Sequence, residues 1–116
     1  MIERHDSNDL MSQATVWNNT AYLSGQVALE NLEHGLAPQA REIFRRIDAI
    51  LVSVGTDKSN LLAATVWLTD VEMFPEFNLL WKEWIGESVP PARATVQAGL
   101  MMAGLKVEIM VTAAIR

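Results

Sequence analysis

Leu61-Leu62-Ala63-Ala64-Thr65-Val66-Trp67-Leu68-Thr69 is the stretch whose reading decides the fold. It carries no charge and is apolar on both alternating faces, as a strand is when something covers both of its sides. Upstream, Pro38 stands where a first-turn proline belongs, and Ala40, Ile43, Phe44, Ile47, Ile50, Leu51 and Val54 follow at spacings of three and four. Arg41, Glu42, Arg45 and Asp48 fall off that stripe, and Gly55 is placed to end the helix. Downstream, Asp70 reads as a turn or cap. A second helix is expected over Phe74 to Ile85, with Pro75 in its first turn, Phe74, Phe77, Trp81, Trp84 and Ile85 on its apolar side, and Gly86 as its stop.

The flanks supply the remaining strands. Ser12 to Trp17 and Thr20 to Ser24 read as two strands joined by Asn18-Asn19, a hairpin turn signal. Residues 29–36 are polar and loop-like. Pro90-Pro91 leads into a strand from Arg93 to Gly99, Met101 to Gly104 reads as its turn, and Leu105 to Ile115 as the returning strand. The order is strands, helix, strand, helix, two strands. It describes one α+β domain over residues 1–116, with two helices on one face of a sheet. Val107, Ile109 and Val111 on one side of the last strand, and Met110, Thr112 and Ala114 on the other, leave neither side suited to water. The face without helices is expected to meet another copy of the chain.

Composition narrows the function. The 116 residues carry 9 Lys and Arg against 14 Asp and Glu, for a net charge of −5. An acidic chain is a poor match for nucleic acid or for an anionic membrane, since both need a basic face. With no cysteine, disulfides, thiolate catalysis and Cys-ligated zinc are excluded. His5 and His34 lack ligand spacing, so no metal is expected. There is no phosphate-binding glycine loop and no G-x-S-x-G frame. No signal peptide or membrane span is read, and a cytoplasmic location is expected.

Arg93 is the most informative residue. Two prolines restrict the chain before it, and strand alternation sets it on the same face as Thr95 and Gln97. An arginine at the start of a buried strand needs an anionic partner, either an acidic side chain or the carboxylate of a ligand. Glu108 lies mid-strand between Val107 and Ile109, where a glutamate is seldom buried without a reason. If the last two strands pair as a hairpin, Glu108 falls near Thr95 and Gln97, and Arg93, Thr95 and Glu108 cluster. Glu108 would then either serve chemistry or merely neutralise Arg93.

Several segments, taken together and in order, resemble the YjgF/RidA family of reactive intermediate deaminases from about Ser12 to Ile115. They are Tyr22-Leu23-Ser24-Gly25-Gln26-Val27, the helix opening at Gln39, Ala49-Ile50-Leu51 through Gly55, Thr65-Val66-Trp67-Leu68-Thr69-Asp70 and Phe77-Asn78. The most specific are Pro91-Ala92-Arg93-Ala94-Thr95-Val96 and Val107-Glu108-Ile109. The resemblance implies a chorismate-mutase-like fold with a mixed sheet of about six strands, a homotrimer, and sites in clefts between subunits. It implies hydrolysis of 2-imino or 2-enamino acids to 2-keto acids and ammonia, with no cofactor. On this reading Arg93 matches the family's carboxylate-binding arginine and Glu108 its water-associated glutamate, while the backbones of Gly25 and Thr95 line the pocket. Three positions depart from the best-known deaminases: Met11 stands near a tyrosine position, Thr95 replaces a cysteine, and Arg46 replaces an asparagine. Two alternatives stand beside the deaminase reading, and the first shares every one of these features except the need for Glu108. One is a non-catalytic trimer that binds small carboxylates as a sensor or chaperone-like partner. The other is a ribonuclease, against which the charge weighs.

Overall fold

A computed structural model describes all residues from Met1 to Arg116. Six strands, β1 (Glu3–His5), β2 (Ala14–Trp17), β3 (Thr20–Leu23), β4 (Leu61–Leu68), β5 (Ala92–Gln97) and β6 (Val107–Ala114), form one mixed sheet in the order β1-β2-β3-β6-β4-β5. Helices α1 (Leu36–Ser53) and α2 (Phe74–Ile85) lie side by side on one face. This is the α+β, chorismate-mutase-like arrangement expected from the sequence.

Local chemistry accounts for the elements. Asn18 and Asn19 both take positive φ, 52° and 59°, which is the two-residue turn that matches strand twist in a tight hairpin. On α1, Ala40, Ile43, Phe44, Ile47 and Leu51 form the buried stripe, and Gly55, at φ 89°, carries the chain out of the helix. Phe44 stacks on Trp84 at 4.5 Å between ring centroids and meets Phe77 and Trp81 edgewise or tilted, which locks α1 to α2. Beneath them lie Ala64, Val66 and Leu68 of β4 and Val107, Ile109 and Val111 of β6, all buried. Gln39, fully buried on α1, donates to the Gly104 carbonyl and accepts from Lys106 N–H, both at 2.8 Å, and so pins the approach to β6. Glu42, also buried, gathers Asn31, Arg46 and the Glu30 N–H. Burial pushes its carboxyl up, but these bonds prevail and hold it below the usual range.

The sequence reading needs one substantive correction. β5 and β6 are not a hairpin. β4–α2–β5 is a crossover unit, so β5 returns parallel to β4, with Ala64 opposite Arg93 and Val66 opposite Thr95. Residues 98–106 then pass the end of β4, tied there by Ala98 N–H to Leu68 O (2.9 Å) and Thr69 N–H to Lys106 O (3.0 Å). β6 consequently pairs with the other edge of β4, antiparallel, with Trp67 opposite Glu108. A smaller difference is β1, which sequence analysis did not separate from the N-terminal tail; it is a short, charged edge strand on β2.

The second face of the sheet carries no helix. Ala63, Thr65 and Trp67 of β4 point to it, so within one chain only one side of the decisive strand is covered. Trp17, Tyr22, Val96 and Met110 stand at 40–47% exposure, and strand alternation puts them on this face. Neither helix is long and apolar enough to cross a membrane.

Candidate functional site

Arg93 sits on edge strand β5 directly after the Pro90-Pro91 lead-in. Its partner across the ladder, Ala64, is buried under the helices, so the Arg93 side chain points to the helix face. There α2 presents Phe74, Phe77, Asn78 and Trp81, spaced three, four and seven residues apart on one helical face. The guanidinium lies 5.1 Å from the Trp81 ring centroid, 5.8 Å from Phe77 and 5.9 Å from Phe74. These are cation–π distances. Its Nη2 donates to Asn78 Oδ1 at 2.8 Å. None of the chain's ion pairs involves Arg93, so no carboxylate lies within 4.0 Å of it. Burial draws its pKa below the ordinary arginine value, yet a guanidinium stays charged throughout the physiological range. Arg93 forms part of the wall of a cleft of about 660 Å³, with Asn78, Trp81, Lys82, Pro90 and Pro91 around it.

Glu108 is at the middle of the sheet and on its other face. It alternates with buried Val107 and Ile109, and its carboxyl lies against Gly25. A Cβ built on Gly25 would stand 2.1 Å from Glu108 Oε2 and 3.1 Å from its Cδ, so only glycine admits the carboxyl in this position. The Gly25 segment is held by Gln26, whose backbone exchanges two bonds with Ile109 (2.8 and 3.1 Å). The Gln26 side chain, buried, donates to Gln13 and to the Ser24 carbonyl. Glu108 itself accepts no hydrogen bond and pairs with no cation in the chain. Burial therefore raises its pKa above the ordinary carboxylate value without opposition.

Thr95 shares the Arg93 face, as alternation predicts. Its Oγ1 is buried and has no partner. It opens on a hollow of about 150 Å³ with Leu68, Val71, Phe74, Val96 and Gln97, separate from the cleft beside Arg93. Phe74 lines this hollow and also faces the Arg93 guanidinium.

The expected residues thus fall into two groups. Arg93 and Thr95 lie on the helix face; Glu108, with Gly25 against it, lies on the open face. The cluster of Arg93, Thr95 and Glu108 expected from a β5–β6 hairpin does not form within one chain, because β4 runs between the two strands. Nor does Glu108 neutralise Arg93 there. Sequence reasoning assigned Phe74, Phe77 and Trp81 to the core and missed their contact with Arg93. The available signal was Asn78, a polar residue on an otherwise apolar helical stripe. No group of three or more His, Asp or Glu side chains is arranged to hold a metal.

Comparison with known proteins places the chain in a family. The family model described as endoribonuclease L-PSP matches residues 1–115. A RutC family protein of Haemophilus influenzae is 38% identical over 112 residues, which cover 97% of each chain. The bovine 2-iminobutanoate/2-iminopropanoate deaminase is 34% identical over 103 residues, covering 84% of this chain and 74% of the relative. A crystal structure of a YjgF family member from Neisseria meningitidis superposes with a TM-score of 0.94 at 34% identity, covering 100% of this chain and 96% of the other. With a match along nearly its whole length and relatives of this similarity, the chain belongs to the endoribonuclease L-PSP family, the YjgF/RutC proteins.

Proposed function

We propose that the protein is a cytoplasmic deaminase that hydrolyses reactive 2-imino and 2-enamino acids to 2-keto acids and ammonia. Its site is completed between neighbouring copies in a homotrimer. One observation carries the reading: Arg93 is anchored by three rings and an amide while its charge is left without an anion. Glu108 is the complementary half, an acid without a cation. Opposite faces of one sheet cannot bring the two together, whereas the open apolar face gives a second copy a surface to cover.

The chemistry follows from these groups. The substrate carboxylate binds the planar fork of Arg93. The protonated imine carbon is already electrophilic, so the protein needs no covalent nucleophile; it holds the substrate and places a water. Glu108 takes a proton as that water adds to the carbon, giving a carbinolamine. Returning the proton to nitrogen lets the C–N bond break; as ammonia leaves and the carbonyl forms, the hydroxyl proton passes to Glu108, which gives it up to ammonia or to solvent. A carboxyl with a raised pKa suits a group that must both accept and return a proton near neutrality. For an enamine, protonation at carbon first gives the same iminium. No step calls for a metal or a nucleotide.

Support for the substrate class comes from the relatives whose names specify small 2-imino acids. Against an RNA substrate stand the net charge of −5 and an Arg93 enclosed by rings rather than set in a basic patch. The experiment generates imino acids in situ with an amino-acid oxidase and follows ammonia and keto acid against the spontaneous rate. Acceleration is expected for small aliphatic imines. No acceleration, with 2-keto acids still bound, would instead make the protein a non-catalytic carboxylate binder.

A further inference from the structure

We infer that Asn78 is the positioning residue of the carboxylate site, and that its neutrality leaves the Arg93 charge uncompensated and open to an anionic ligand. The inference rests on the deaminase reading for the identity of the ligand, a 2-imino or 2-keto acid.

The placement of Asn78 is not explained by packing. It stands among Phe74, Phe77 and Trp81 on the face of α2 that meets β5, where an apolar side chain would bury more surface. Its Oδ1 accepts from Arg93 Nη2 at 2.8 Å, the single hydrogen bond the guanidinium makes within the chain. A guanidinium only donates, with five N–H groups. Asn78 uses one of them and contributes no charge. The three rings surround the guanidinium at cation–π distances and take up none of its N–H groups in conventional hydrogen bonds. The Arg93 fork is therefore fixed in position with its charge uncancelled.

Aspartate has nearly the same shape as asparagine and would satisfy the same N–H. It would also form an ion pair with Arg93 beside the cleft, and an incoming carboxylate would meet a neutralised partner. A merely structural anchor for Arg93 would do as well or better with that charge. A carboxylate site requires the neutral amide. The identity of this one atom, nitrogen in place of oxygen, separates the two roles.

The test compares wild type, Asn78→Asp and Asn78→Ala as assembled protein. It measures melting temperature, the Kd for 2-oxobutanoate by calorimetry, and KM and kcat on oxidase-generated imines. For Asn78→Asp a melting temperature at or above wild type is expected, with 2-oxobutanoate affinity reduced roughly ten- to a hundred-fold, the scale of a charge-assisted hydrogen bond. KM should rise by a similar factor, with kcat changed less. Asn78→Ala keeps the charge and loses the anchor, so its affinity should fall less than that of the aspartate variant; it also serves if the aspartate variant fails to fold. Wild-type affinity and KM in both variants would overturn the positioning role and leave the deaminase reading intact, as would a larger loss in the alanine variant than in a folded aspartate variant. A wild type that neither binds 2-oxobutanoate nor hydrolyses imines would overturn both.

Discussion

Replacing Gly25 with alanine should disable the protein without unfolding it. The new Cβ would lie 2.1 Å from Glu108 Oε2, and Cβ atoms essentially never approach another heavy atom within 3.0 Å, so the oxygen must retreat by at least about 0.9 Å. The obstruction is the far end of a flexible side chain rather than backbone. Glu108 can therefore turn away, for about 0.5–1.5 kcal/mol if it leaves its rotamer well. Alanine in place of glycine at a backbone angle it tolerates returns about 0.4–1 kcal/mol through the unfolded state. The two nearly cancel, and the melting temperature should move by only a few degrees. Catalysis has no such compensation. A displacement of about 1 Å in a group that must meet the attacking water can lower the rate on the order of a hundred-fold. The assay is imine hydrolysis under a coupled oxidase, with calorimetric melting on the same preparation. Wild-type turnover in a folded Gly25→Ala protein would refute the role given to Glu108, and collapse of the fold would refute the reading of the contact as local.

Arg93→Lys should not rescue function, because lysine keeps the charge but not the planar fork; both it and Arg93→Ala should lose roughly ten- to a hundred-fold in kcat/KM. Arg93→Ala strands no buried carboxylate within the chain, so circular dichroism melting should show a modest loss, and a collapse would make Arg93 structural. Glu108→Gln should abolish most turnover while leaving stability at neutral pH equal or higher. The folded pKa of Glu108 lies above its ordinary value of 4.5, so the protonated form favours folding at low pH and that contribution is lost as pH rises through the raised value. The wild type should thus lose stability relative to Glu108→Gln across that window, and parallel pH–stability curves would contradict the burial of the carboxyl.

Much of the fold is legible in the sequence because its signals are local. Pro75 and Gly86 bracket α2 at the bounds observed, Phe74–Ile85. The asparagine pair fixes the β2–β3 turn, and the three- and four-residue spacing from Ala40 marks the buried face of α1. The pairing of β5 was readable too, since strand, helix and strand in succession favour a parallel crossover. The adjacency of β5 and β6 in sequence suggested a hairpin instead. That choice decides the site: β4 lies between them, and its register sets Arg93 beside Ala64 and Glu108 beside Trp67, on opposite faces. No period in the sequence reports which strand lies between two others. β1 escaped notice because three charged and polar residues at an edge carry no burial pattern. The contact of Arg93 with the rings was hidden because Phe77 and Trp81 serve the core and the site together.

The central claim is that Arg93 of one copy works with Glu108 of another. Mixing the inactive variants Arg93→Ala and Glu108→Gln, by unfolding and refolding them together in equal amounts, tests it most directly. In a cyclic trimer every mixed assembly contains one site with both native residues, and three-quarters of random trimers are mixed. About one quarter of wild-type activity should therefore return. Activity no higher than that of the separate variants, in samples shown by mass spectrometry to hold mixed trimers, would contradict a shared site.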